Sequence, residues 1–200
     1  MRLNVMTNFL RNHVELVLGD SLSNEEYSLF ESFFFSRTFP KKAILAKPGE
    51  YCKYVYFITK GSAYSSLTDE NNEPHAIQFG LESHWVTDHY SYFSGKPGIY
   101  TVETLEPTTA WLLSLPQFEK LCASNHKFEH YFRISIQRAF VSLQYRLAKT
   151  TSTDALHRYT EFAETYPQFI QRIPQYLIAS YLGIKPQSLS RIRKELAHPH

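Results

Sequence analysis

Gln187, Ser188, Arg191 and Lys194 recur at helical spacing near the C-terminal end of the chain and point away from its apolar positions. Amide, hydroxyl and guanidinium groups held at fixed separations on one helix face suit the reading of base edges. A guanidinium such as that of Arg191 can donate two parallel hydrogen bonds to guanine O6 and N7, while Gln and Ser can bond bases or phosphates. Lys185, Arg193 and Lys194 suit phosphate oxygens, or solvent. Gln175, at the start of the preceding helical pattern, is a further candidate phosphate contact. With Pro186 these residues make up the expected DNA-binding set.

Such a set needs elements to hold it. Two short helical patterns flank Gly183. The first places Ile173, Leu177, Ile178, Tyr181 and Leu182 on an apolar face, and the second turns Leu189, Ile192 and Leu196 inward. Gly183 tolerates the positive φ of a tight turn. Pro186 suits the first turn of a helix, and Lys185 before it is pushed toward extended backbone. The layout is that of a helix-turn-helix whose second helix, Pro186–Ala197, enters the major groove. The plain alternative is a helical hairpin with a solvated basic face.

The rest of the chain limits the choices. Two hundred residues, 43% hydrophobic and 16% aromatic, can bury a real core, and 20% charged residues with only 7 Gly argue against extended disorder. No apolar run reaches membrane-spanning length, and the start, broken by Arg11, Asn12, His13 and Glu15, does not read as a secretory signal. A cytoplasmic protein without membrane partners is expected. Cys52 and Cys122 lie in no CxxC and read as isolated reduced thiols. The net charge of +2 hides an asymmetry: residues 1–125 hold 10 Lys+Arg and 14 Asp+Glu, residues 126–200 hold 11 and 5. Only the back part is suited to a polyanion.

Periodicity divides the chain into an α+β arrangement. Ser23 and Glu26 form a capping-box pattern ahead of a helix to about Phe34, with Leu29, Phe30, Phe33 and Phe34 as its stripe. From Arg37 to about Leu115, short β-rich runs alternate with turns: Ala43–Ala46, Tyr54–Thr59, Ala63–Thr68, His75–Phe79, Tyr100–Leu105 and Thr109–Leu115. About eight strands at this spacing read as a double-sheet jelly roll or small barrel, with a short helix at Asp88–Phe93. Helices follow at Gln117–Ala123 and at about His126–Lys149. The latter carries Phe128, Phe132, Ile136, Phe140, Leu143 and Leu147 near one face, close to a coiled-coil seam, with packing on the roll as the alternative. Thr150, Thr151 and Ser152 read as a polar hinge before a helix capped by Thr153 or Asp154 and ending near Tyr166-Pro167.

A roll, a long helix and a helix-turn-helix in this order resemble the Crp/Fnr family of bacterial transcription regulators over nearly the whole chain. YVYFITKGSAYSSL (Tyr54–Leu67) is similar to the family's central roll strands. RIPQYLIASYLGIKPQSLSRIRKEL is similar to its DNA-reading end, particularly in Bacteroidetes-type members. The resemblance implies three parts: a cyclic-nucleotide-binding-like double-stranded β-helix sensor over residues 1–125, a dimerisation helix at 126–150 and a DNA-binding domain at 151–200. The chain stops soon after Leu196, so the family's β-hairpin wing is expected to be short or absent. The resemblance places the base- and phosphate-contacting positions on Pro186, Gln187, Ser188 and Arg191. Gln187 stands where the family has an acidic residue and Pro186 where it has a basic one, so the family's usual operator is not implied. Double-stranded DNA with a near-palindromic operator and a second copy of the chain are the implied partners. RNA polymerase and an unidentified small-molecule effector are further candidates.

The family's effector site departs more sharply. Cyclic-nucleotide-binding members use Gly-Glu for the ribose and Arg-Ser for the cyclic phosphate. The resemblance places Thr87-Asp88 at the first pair, Gly98-Ile99 at the second, and Leu143 and Gln144 where small hydroxyl residues would meet the base. A cyclic phosphate needs a cation or clustered donors, which Gly98 and Ile99 lack as side chains. The roll is therefore expected not to respond to cyclic AMP and to carry no cofactor or metal. Trp85, Thr87, Asp88, Tyr100 and Leu143 are candidates to line another pocket, their plain reading being roll core and rim. The one HxH, His198-Pro199-His200, lies at the terminal tail, and no GxSxG, HExxH, P-loop or GxGxxG occurs, so catalysis is not expected. The competing reading is a ligand- or protein-binding roll whose helix-turn-helix does not bind DNA.

Overall fold

The computed structural model describes residues 3–71 and 73–197, with side chains from Phe9 onward. In chain order come α1 (Leu3–Leu18), α2 (Asn24–Glu31), β1 (Phe35–Phe39), β2 (Ile44–Ala46), β3 (Tyr54–Lys60), β4 (Ala63–Thr68), β5 (Pro74–Gly80) and β6 (Trp85–Val86). Then follow α3 (His89–Ser94), β7 (Thr101–Thr104), β8 (Thr108–Ser114), α4 (Leu115–Ser124), α5 (His126–Ser152), α6 (Ala155–Thr165), α7 (Pro167–Arg172), α8 (Gln175–Tyr181) and α9 (Pro186–Ala197).

The strands form two four-stranded sheets, in the orders β1-β8-β3-β6 and β2-β7-β4-β5. The expected eight-stranded roll is present. In the first sheet, β8 pairs antiparallel with β1, from Phe35↔Leu112 to Phe39↔Thr108, and with β3, from Tyr54↔Ser114. The β-branched and aromatic run of β3 is buried from Val55 to Thr59, as befits a central strand. Two compact units result: residues up to 65 with 79–139, and residues 66–78 with those from 140 on.

The first unit's core is aromatic. Phe30, Phe57, Phe128 and Tyr131 are fully buried, and Phe30 meets Phe128 at 5.0 Å between ring centroids. The capping box starting α2 is formed in both directions: Ser23 Oγ accepts from the Glu26 amide at 3.1 Å, and Glu26 Oε2 accepts from the Ser23 amide at 2.8 Å. The buried face of α2 holds Tyr27 and Phe30, three residues apart, whereas Leu29 is exposed. The helix ends at Glu31 rather than near Phe34, and Phe34 is buried from the segment that follows it.

His13 of α1 stacks in this core, 5.2 Å from Phe57 and edge-on to Tyr131 at 5.9 Å. Burial first, then the positive neighbours His84 and Arg138, lower its pKa from 6.5 to about 4. The folded chain thus holds a neutral imidazole that the unfolded chain protonates. Its contribution to stability is complete above pH 6.5 and is lost as pH falls through 4, to a total of about 3 kcal/mol. Urea unfolding at pH 7 and at pH 4.5 checks this, and His13→Leu should flatten that part of the pH dependence.

Three expectations are corrected. The segment Thr150–Ser152 is helix rather than hinge loop, so α5 runs unbroken to Ser152. Its hydroxyls bond back to the previous turn: Thr150 Oγ1 donates to Arg146 O at 2.9 Å and Ser152 Oγ to Ala148 O at 2.8 Å, which satisfies them within the helix. Second, the seam of α5 changes character along its length. Phe128 and Phe132 are buried in the first unit, whereas Ile136, Phe140, Leu143 and Leu147 are 45%, 59%, 50% and 61% exposed. Third, Leu196 is 48% exposed, not inward. With seven residues in α8 and twelve in α9, the last turn of α9 overhangs its partner. The caps of α3 and α6 are Asp88 and Asp154, each accepting from the amide three residues on. Among the described residues no helix is long and apolar enough to cross a membrane.

Candidate functional site

Two places answer to the chemistry read from the sequence, one in each unit. In the second unit, α8 and α9 are joined by Leu182–Lys185, with Gly183 in the left-handed region at φ +64°. A Cβ there would also meet Thr150 Cγ2 at 3.3 Å. The Ile184 amide donates to Ala179 O at 2.8 Å and the Leu189 amide to Lys185 O at 3.0 Å, closing the turn and opening α9. Leu177, Ile178, Leu182, Ile184, Leu189 and Ile192 form the buried face.

The polar residues lie on the other side. Lys185, Pro186, Gln187, Arg191, Arg193 and Lys194 are exposed and Ser188 is half-buried. Arg191 pairs loosely with Glu195 on the same helix at 3.7 Å, with side chains 77% and 64% exposed, so water screening leaves the guanidinium available. Gln175 differs: it is half-buried at the first position of α8, its Nε2 donates to Ile170 O at 3.3 Å, and its Oε1 is buried without a partner.

Two fasteners of this turn escaped the sequence reading. Arg158 of α6 donates from Nε to Leu182 O at 2.8 Å and from Nη2 to Gly183 O at 3.3 Å. Arg146 of α5 donates to Tyr181 O at 3.3 Å and lies 4.3 Å over the Tyr181 ring. Their acceptors are carbonyls 24 and 35 residues away, which no side-chain pattern announces.

In the first unit, the loop from β6 through α3 to β7 closes on Asp88, which is fully buried. Its Oδ1 accepts from the Ser91 amide at 3.0 Å, and its Oδ2 from the amides of Ile99 and Tyr100 at 2.9 and 3.0 Å. Gly98 lies against this carboxylate: a Cβ on it would sit 2.7 Å from Asp88 Oδ2 and 3.0 Å from Glu50 O. Its own amide donates to Glu50 O at 2.7 Å. Thr87 is buried, with its hydroxyl on Tyr54 O at 2.8 Å. Trp85 packs on Phe57 at 4.9 Å and donates from Nε1 to the Tyr131 hydroxyl at 2.8 Å. Tyr100 is half-buried, while Leu143 belongs to the second unit and is exposed. Cys52 and Cys122 are free thiols, and burial raises Cys122 to about 11.

This loop, set in two such sheets, is where comparison with known proteins becomes decisive, and residues 36–125 match the family model of the cyclic nucleotide-binding domain. Solved structures extend the likeness across the chain. The c-di-GMP-responsive global regulator CLP of Xanthomonas campestris is 11% identical, with 88% of this chain and 92% of that one covered and a TM-score of 0.68. FixK2 of Bradyrhizobium japonicum is 15% identical, covering 82% and 84%, with a TM-score of 0.67. A protein from Eubacterium rectale assigned to the Crp/Fnr family is 12% identical, covering 88% and 84%, with a TM-score of 0.65. At these identities the shared property is the fold, which is that of Crp/Fnr-type regulators. A search of curated protein sequences returns no match.

Proposed function

We propose that the protein is a dimeric, sequence-specific DNA-binding transcription regulator of the Crp/Fnr type that works without cyclic AMP. The observation that carries this reading is the split of α9: Leu189 and Ile192 bury while Gln187, Arg191 and Lys194 are exposed on the outer face, behind a left-handed turn at Gly183. A helix so held is a recognition helix of the helix-turn-helix kind. The exposed apolar residues of α5 from Ile136 to Leu147 suit pairing with a second copy, which would set two recognition helices about one DNA turn apart. The cytoplasm is the matching compartment, and RNA polymerase is a further partner such a regulator would meet.

Independence from cyclic AMP is supported by Asp88 and Gly98. The amides of Ile99 and Tyr100 are already taken by a carboxylate of the chain itself. A cyclic phosphate would meet that negative charge and no cationic side chain at Gly98 or Ile99.

In-vitro selection from randomised duplex DNA, followed by binding at several salt concentrations, tests the proposal. A two-half-site palindrome with a steep salt slope is the expected result. Failure to enrich any sequence would leave a roll that acts through ligand or protein contacts. On the selected operator, Arg191→Ala should cost about 1–3 kcal/mol and relax specificity at one position per half-site. A uniform loss over all sequences would make Arg191 a phosphate contact instead.

A further inference from the structure

A cleft of about 110 Å³ opens within the second unit, between the C-terminal half of α5, α6 and the end of α8. Its size is on the order of the ~150 Å³ apolar cavity that admits one benzene ring. Tyr145, Phe162, Tyr166 and Tyr181 line it, and Phe162 lies 5.4 Å from the Tyr166 ring and 5.6 Å from that of Tyr181. The charged residues of the wall do not balance. Arg146, Lys149 and Arg158 stand against the single carboxylate of Glu161. That carboxylate is engaged, accepting from the Tyr145 hydroxyl and pairing with Lys149 at 3.2 Å; the hydroxyl, then Lys149, hold its pKa below the usual range.

The hydrogen bonds of both guanidiniums go to carbonyl oxygens, and Arg146 also lies over the Tyr181 ring. Arg146 donates to Tyr181 O at 3.3 Å and Ile77 O at 3.1 Å, and Arg158 to Leu182 O, Thr153 O and Gly183 O. Among the described residues neither has a carboxylate within ion-pair distance. A guanidinium has five N–H groups, so Arg146 keeps three and Arg158 two for another acceptor. Half-buried cations with no carboxylate beside them favour an anion, and a flat carboxylate is the anion a guanidinium binds in two-point fashion.

We infer that this cleft is a binding site for a small aromatic carboxylate, its ring among Phe162, Tyr166 and Tyr181 and its carboxylate on Arg146 and Arg158. Arg158 also holds the carbonyls of Leu182 and Gly183, so the ligand would act on the turn that sets α9. That coupling rests on the proposed DNA-binding function, whereas the binding itself does not.

Calorimetric titration of the full chain with benzoate and 4-hydroxybenzoate tests the site without DNA. One saturable site per chain is expected, with a Kd of about 1 mM or tighter for so small a ligand. Benzyl alcohol, which keeps the ring and lacks the charge, should bind at least about tenfold more weakly, and inorganic phosphate not measurably. Arg146→Gln and Arg158→Gln should each weaken benzoate by about tenfold or more. Thr165→Trp, which fills the cleft from its exposed rim without touching either arginine's bonds, should abolish binding, and it serves as the test if an arginine variant does not fold. The assignment is overturned by three results: no saturable heat with either acid, alcohol or phosphate binding as tightly as benzoate, or binding that survives Thr165→Trp.

Discussion

Replacing Leu143 with glutamate should break the dimer proposed through α5 and leave the protein monomeric. Leu143 is half exposed in the middle of an apolar run that includes Phe140 on one side and Leu147 on the other, at the 4, 3, 4 spacing of a two-helix seam from Ile136. Packing such a side chain is worth about 1.5–3 kcal/mol per copy. A symmetric dimer loses that twice, and it also brings two carboxylates together in an apolar seam without a partner. A loss of at least about 4 kcal/mol, or roughly a thousandfold in dimer affinity, follows. Sedimentation of the wild type and the variant at matched concentration measures it. Circular dichroism should show an unchanged monomer fold, because the residue supports no core. On a palindromic operator the variant should lose far more affinity than on a single half-site. A dimer that survives the substitution would show that this face of α5 is not the interface.

Asp88→Ala costs about 3–6 kcal/mol of folding stability, much of the usual 5–15 kcal/mol margin. The side chain is fully buried, and its removal leaves the amides of Ser91, Ile99 and Tyr100 without an acceptor. Asp88→Asn retains one oxygen acceptor and should lose about half as much, so the order wild type, Asn, Ala in urea midpoint is the diagnostic. Cyclic AMP should leave the wild-type melting temperature unmoved. A saturable rise would show that the carboxylate does not close the site.

What the chain discloses before folding follows from how local the determining physics is. The capping box of Ser23 and Glu26, the roll strands from Ala63 to Thr68, the positive φ of Gly183 and the start of α9 at Pro186 depend on residues a few positions apart, and all were legible. Elements fixed by distant partners were not. β6 is two residues long and exists because Tyr56 and Phe57 pair with it. α7 occupies six residues between Tyr166-Pro167 and Ile173-Pro174, too short for a periodic signal. The change along α5 from buried Phe132 to exposed Ile136 is invisible in a repeat that looks uniform. The same holds for candidate sites. The outward face of α9 is a periodicity and was read directly. The grip of Asp88 on the amides of residues 99 and 100 is a backbone contact over 11 and 12 positions, so sequence gave its charge and not its engagement.

That grip has a consequence for how the protein can be controlled. A free ligand occupies its site in proportion to its supply, and so reports on metabolism. A carboxylate tethered in the same chain, 11 and 12 residues from the amides it holds, is present at a constant, high effective molarity and is never diluted. On the proposed reading, the amides of Ile99 and Tyr100 are then filled from the moment the roll folds, whatever the level of a free anion. Output would instead follow the amount of chain in the cell, and steeply, because a site that needs two copies fills with the square of monomer concentration when monomers predominate. Under the proposed function, synthesis and turnover of the protein would become its natural dial, with the second unit as the place where a chemical signal could still enter.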